Sequence, residues 1–192
     1  MAPQAHPLRY EEGAEMKYYL LGSNLNYKSC YLENASSLKF KKQYYNGELL
    51  DESVVINVSV NSEVRNKYLP LKNIMHFWGC GDSFAVDEKV KKLLERYYAE
   101  YFDFKKIEVM DSESDKNFYL LFFRKFTEGF DEEKSVLNFD SRDSYVVSED
   151  AVLYSVFKFN YPKSLTFADE IFKKFVEDNH IEGWTFREAF EI

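Results

Sequence analysis

From Val54 to Val60 apolar side chains fall at every second position, with Val54, Ile56, Val58 and Val60 on one face and Asn57 and Ser59 on the other. A period of two is that of a half-buried strand. Met16-Lys17-Tyr18-Tyr19-Leu20-Leu21 reads as an opening strand. Asn117-Phe118-Tyr119-Leu120-Leu121-Phe122-Phe123 reads as a buried strand and Leu153-Tyr154-Ser155-Val156-Phe157-Lys158-Phe159 as an alternating one. Asn24 to Asn46 is polar and aromatic, with Lys39, Lys41 and Lys42 in it; its weak period predicts irregular structure. Residues 1–15 (MAPQAHPLRYEEGAE) differ in character from the rest of the chain and are expected to be a flexible leader or a cloning remnant outside the fold.

Helical spacing occurs twice. Asp87-Glu88-Lys89-Val90-Lys91-Lys92-Leu93-Leu94-Glu95 lines up with Asp169-Glu170-Ile171-Phe172-Lys173-Lys174-Phe175-Val176-Glu177 at an offset of 82 residues, without a gap. Phe102-Asp103-Phe104 meets Trp184-Thr185-Phe186 at the same offset. Val90, Leu93, Leu94, Tyr97 and Tyr101 in one copy, and Ile171, Phe172, Phe175 and Val176 in the other, make an apolar stripe on each of two amphipathic helices. The aspartate at each helix head suits the free amides and positive dipole there. Each unit, near 83–109 and 165–190, is therefore predicted to be a short strand, a helix and a return strand. Two copies at so long an offset do not make a solenoid. The expectation is one α+β domain over 16–192, with a mixed or antiparallel curved sheet or sheets and two similar helices from an internal duplication.

Composition supports a single well-buried domain: 192 residues, 45% hydrophobic, 18% aromatic, with only 7 Gly and 4 Pro. A chain of this size buries roughly 70% of its unfolded surface. No window approaches the ~18 apolar residues of a membrane span, and no secretion signal opens the chain, so a cytoplasmic location is expected. Cys30 and Cys80 are then read as reduced thiols. The balance of 25 Lys+Arg against 33 Asp+Glu, net −8, disfavours direct nucleic-acid binding and suits a basic partner. The acids gather in connections: three in Asp111–Asn117, four in Glu128–Glu133 and four in Asp140–Asp150.

Candidate chemistry is sparse. In His76-Phe77-Trp78-Gly79-Cys80-Gly81-Asp82 a thiol stands near a histidine and an aspartate, the residue types of a cysteine nucleophile and its base, but a turn cysteine before a strand explains the same letters. His6, His76 and His180 have no partners at metal-ligand spacing, and the acidic runs lack the pattern of a calcium loop. Asp87-Glu88 and Asp169-Glu170 read as helix starts and not as a glycosidase pair. Lys39-Phe40-Lys41-Lys42-Gln43-Tyr44-Tyr45 interleaves basic and aromatic residues as a single-strand grip does, against the overall charge. No glycine-rich phosphate cradle is present.

The opening Met16–Leu21, the unit Ser83–Glu95 followed by Phe102-Asp103-Phe104-Lys105-Lys106-Ile107, and the closing unit Leu165–Phe186 together resemble a bacterial family. It was first catalogued as a domain of unknown function and then assigned to the immunity proteins of polymorphic toxin systems. The resemblance covers about residues 16–190 and departs before Met16 and around 24–46. It implies a cytoplasmic inhibitor that binds the C-terminal domain of a toxin and occludes its active site or substrate access. No catalytic residue, metal or cofactor is implied. The toxin is expected to be basic and nucleic-acid-directed, which would make an acidic surface the binding face. The partner-binding candidates are Asp111, Glu113, Asp115, Glu128, Asp131, Glu132, Glu133, Asp140 and Asp143. The alternatives are a hydrolase acting on toxin-modified products, thiol-dependent through Cys80 or otherwise, and a regulatory protein-interaction module.

Overall fold

The computed structural model describes residues 16–32, 43–44, 55–60, 68–78, 83–110, 115–136, 144–161 and 165–192. The strands are β1 (Lys17–Ser23), β2 (Ser29–Leu32), β3 (Ile56–Ser59), β4 (Ile74–Trp78), β5 (Phe84–Asp87), β6 (Phe102–Val109), β7 (Phe118–Phe123), β8 (Phe126–Thr127), β9 (Val156–Phe159), β10 (Thr166–Asp169) and β11 (Trp184–Glu191). The helices are α1 (Glu88–Tyr97), between β5 and β6, and α2 (Glu170–Asp178), between β10 and β11. Predicted leader residues 1–15 lie outside the described residues.

Each helix begins where an aspartate closes the preceding strand. Asp87 accepts the Val90 N–H at 3.0 Å, and Asp169 accepts that of Phe172 at 2.7 Å, satisfying one of the free amides of a helix start. Val90 and Leu94 of α1, and Phe172 and Val176 of α2, are buried, while Lys92, Glu95, Lys174 and Glu177 face water. Helix α1 ends at Tyr97; Tyr101, expected on its stripe, lies in the following turn and packs on Tyr98.

Two sheets flank the helices. One is a closed barrel in the order β2-β3-β6-β7-β5-β4, and the other is a five-stranded sheet in the order β11-β1-β10-β9-β8. Pairing is antiparallel except for β2 with β4, β3 with β6, and β8 with β9. The same register recurs in both. Ile74, Met75 and His76 pair with Val86, Ala85 and Phe84, and 82 residues on, Val156, Phe157 and Lys158 pair with Ala168, Phe167 and Thr166. The central strands are exchanged. β7 lies between β5 and β6, and β1, from the opposite end of the chain, lies between β10 and β11.

The sheets differ at their outer strands. In the barrel β3 closes the ring by pairing with both β2 and β6. In the open sheet the chain after β8 makes a single bridge, Phe130 to Val147, and no strand among the described residues pairs with the outer side of β11. Ala189 is an extra residue between the Tyr18–Phe190 and Tyr19–Glu188 pairs, a bulge at the place where β6 receives β3.

Alternation along each strand separates three cores. Ala85, Met75, Phe77, Ile107 and Leu120 fill the barrel. Tyr18, Phe157, Phe159, Phe167 and Tyr145 line the inner face of the open sheet. Phe84, Val86, Leu121 and Phe123 from the barrel meet Leu21, Val156, Ala168 and Trp184 from the open sheet around both helices. There Tyr98 lies 5.0 Å from Phe172 and Phe84 lies 5.7 Å from Trp184, in the edge-to-face arrangement aromatic rings favour. The sheets also touch through backbone. Gly183, at φ +123°, places its Cα so close to β4 that a Cβ would stand 2.5 Å from the Ile74 carbonyl oxygen, and Ile74 N–H donates to Glu182 O at 3.1 Å.

Two expectations change. Residues 24–46 are not irregular throughout, because β2 lies within them; Ser29 and Cys30 are both buried, so the strand has no alternation to reveal it. His76, Phe77 and Trp78 belong to strand β4.

Candidate functional site

Thr127, at the end of β8, starts a compact surface feature. Its hydroxyl donates to Val152 O at 2.6 Å, and Asn160 N–H donates to Thr127 O at 2.8 Å. The chain then passes through Gly129, whose φ of +98° suits a residue without Cβ; an added Cβ would lie 2.8 Å from the Ala151 Cβ. That close approach lets two turns lie side by side. Ser148 N–H donates to Gly129 O at 2.8 Å and Asp131 N–H to Val146 O at 3.0 Å. Asp131 heads the first turn, accepting the Lys134 N–H at 3.0 Å and pairing with its ammonium at 2.9 Å. Lys134 holds the Asp131 carboxyl below its ordinary range. In the second turn Ser148 donates to Asp150, and Asn160 Nδ2 donates to Glu128.

The outcome is an acidic rim: Glu128, Asp131, Glu132, Glu133, Glu149 and Asp150, with Lys134 the one base in these two turns. Val152 (65% exposed) and Tyr161 (62%) stand beside it. Of the sequence candidates, Glu128, Asp131, Glu132 and Glu133 are brought together here. Asp115 is exposed at the other end of β7 and is not part of the rim. Asp111, Glu113, Asp140 and Asp143 lie outside the described residues. Glu149 and Asp150 were not singled out by sequence, although the acidic run Asp140–Asp150 contains them; only the Gly129–Ala151 approach places them next to Glu128.

The matching place in the barrel half is aromatic. Tyr31 stacks on Trp78 at 6.1 Å where Glu128 and Asn160 stand in the other half, since Ser29–His76 and Phe126–Lys158 are equivalent parallel pairs. Ser23 Oγ lies 3.0 Å from His76 Nδ1, and at the corresponding positions the Lys158 ammonium sits 4.9 Å from the Phe123 ring centre. Burial lowers the His76 pKa to about 4, so the ring is neutral at pH 7. Cys30 Sγ donates to His76 O at 3.6 Å, and burial pushes this thiol far up, away from nucleophilic use. Cys80, the thiol weighed for catalysis, and the run Lys39–Lys42 lie outside the described residues.

Among the described residues no group of three or more His, Cys, Asp or Glu side chains could hold a metal ion. No described helix is long and apolar enough to cross a membrane. A well-packed α+β body that displays charged and aromatic surface is a binding protein in kind. The model of the Immunity protein family (Imm11) matches residues 31–191, and the chain belongs to that family. The match starts inside β2 and leaves out β1. No curated protein matches the chain. The protein is thus an immunity protein of a polymorphic toxin system: it neutralises a cognate toxin through protein–protein contact and is not an enzyme.

Proposed function

We propose that the toxin is held at the acidic rim formed by Glu128, Asp131, Glu132, Glu133, Glu149 and Asp150, and that it presents a basic, nucleic-acid-directed cleft there. The observation that carries this reading is the pairing of two acidic turns through Gly129 and Ala151, which concentrates carboxylates that are separate in sequence. Carboxylates in a basic cleft occupy the place of phosphates, and the opposite charges speed encounter. Val152 and Tyr161 supply apolar contact beside the charge. The protein acts in the cytoplasm as a stoichiometric block. The repeated 82-residue offset in pairing and in capping supports a reading of the scaffold as an internal duplication whose halves exchanged their first strands.

The test mixes the purified protein with the C-terminal domain of its cognate toxin. Glu128, Glu132 and Glu133 changed together to Lys should weaken the complex at least tenfold, and salt should weaken the native complex but much less the variant. Full affinity in the folded triple variant would overturn the rim as the binding face.

A further inference from the structure

Three features stand outside the rim: the aromatic pole at Tyr31 and Trp78, the Ser23–His76 contact, and the outer edge of β11. The first two carry nothing that names a ligand. The edge does, because the molecule contains its own counterexample. In the barrel the equivalent strand, β6, is covered by β3 in parallel pairing, with Ile56, Asn57 and Val58 opposite Ile107, Glu108 and Val109. Every other strand of the two sheets repeats in order and register, and this one position is filled in one sheet and unpaired among the described residues in the other.

The ladder with β1 fixes which backbone groups β11 leaves outward. Met16 and Ile192 exchange both hydrogen bonds, and Asn24 N–H donates to Gly183 O. Antiparallel alternation then turns Thr185 and Arg187 toward β1, and Phe186 and Glu188 outward, with the Ala189 bulge ending the regular stretch. The Thr185, Arg187 and Glu188 side chains are exposed. Bulge and charges are devices that keep an edge from pairing with itself, and they stop short of closing Trp184–Glu188 to a different chain. The edge is also continuous with the rim: Arg187 donates to the Tyr145 hydroxyl at 3.1 Å, and Tyr145 precedes the segment that builds the second acidic turn.

We propose that the outer edge of β11, over Trp184–Glu188, receives an extended segment of the cognate toxin as an added strand, in the place that β3 takes on β6. Main-chain hydrogen bonds supply affinity in this mode, and the neighbouring rim supplies charge selection. The inference rests on toxin binding as the protein's function but not on the rim, and it is tested by separate variants.

The experiment measures affinity for the toxin domain and amide hydrogen exchange on the full chain. Glu188→Pro removes one outward N–H at an edge position where proline is tolerated, and Glu188→Ala removes only the side chain. The proline variant should bind about tenfold more weakly with its thermal midpoint little changed, and the alanine variant should bind as the native chain does. Should the proline variant fail to fold, exchange on the native chain decides: the Phe186 and Glu188 amides should be slowed by toxin. Unchanged affinity of a folded proline variant, equal losses from proline and alanine, or amides that exchange as fast with toxin as without would each overturn the proposal. So would amides protected without toxin at high protein concentration, since the occupant would then be a second copy.

Discussion

Asp87 and Asp169 stand 82 residues apart in sequence and in one role: each ends a strand, accepts the N–H of the third residue on, and receives a second hydrogen bond from the residue that precedes the neighbouring strand. That residue is Asn73 in the first half, at 2.7 Å, and Ser155 in the second, also at 2.7 Å. Asn73 O and Ser155 O accept the backbone N–H of Asp87 and Asp169 in turn, each at 2.9 Å. A strand–strand–helix corner is thereby tied by three bonds to one carboxylate residue.

Removing either carboxylate should be costly for the whole fold. Asp169 is fully buried and Asp87 nearly so. Alanine at one of them loses a cap worth about 1 kcal/mol and leaves a buried donor on Asn73 or Ser155 unpaired at about 1–3 kcal/mol more. Urea unfolding of Asp169→Ala should show a loss of about 2–4 kcal/mol, and Asp169→Asn, which keeps an acceptor, a smaller one. Equal losses in the two variants would mean that the cap is not what matters.

Gly183 should tolerate no side chain. An alanine there meets the Ile74 carbonyl oxygen at 2.5 Å while holding a φ of +123°. The contact is backbone on backbone, so relief requires β4 and β11 to part. Gly183→Ala is expected to destabilise by about 3 kcal/mol or more, read as a lowered denaturation midpoint. The rim glycine is less critical to the fold: Gly129→Ala meets a loop side chain, and its loss should fall chiefly on toxin affinity.

His76 makes stability depend on pH. Burial lowers its pKa from 6.5 to about 4 in the folded chain, so between those values the unfolded chain holds the extra proton. Stability from this group is therefore full above about pH 6.5 and declines as pH falls toward 4. The loss is on the order of 2–3 kcal/mol. Acidic side chains also titrate toward the lower end, so the comparison is with His76→Gln: urea unfolding at pH 7.5 and 4.5 should show a smaller drop in the variant. Parallel drops would place His76 in solvent.

These expectations show where sequence speaks and where it is silent. The helices were legible because one face of each packs inward while the other meets water, and the constant offset survived in Lys91–Lys92 and Lys173–Lys174. The strand Val54–Val60 was legible for the same reason, and Ile56–Ser59 is its described core. β2 and β4 were not, since a short strand wrapped on both faces has no alternation. At the site, Glu128 to Glu133 announced themselves as an acidic run. Their union with Glu149 and Asp150 depends on one glycine accepting a close neighbour, a contact that no local pattern encodes. Asp115, which looked alike in sequence, belongs to the far end of β7.

The rim yields the last prediction through its dependence on salt. Opposite charges on two proteins raise the association rate, and the gain is screened over about 8 Å at physiological ionic strength. Glu132 and Glu133 are exposed and make no described ion pair, so their contribution should lie mostly in encounter. Glu128 is tied to Asn160 beside Val152 and Tyr161, so it should act after encounter, in the lifetime of the complex. Stopped-flow or surface binding with the toxin domain should then separate them. Glu132→Gln with Glu133→Gln slows association several-fold and flattens its salt dependence, leaving dissociation little changed, whereas Glu128→Gln speeds dissociation. If the double variant left the salt dependence of association untouched, long-range attraction would have to arise elsewhere on the surface, and the acids of this turn would be solvated loop residues.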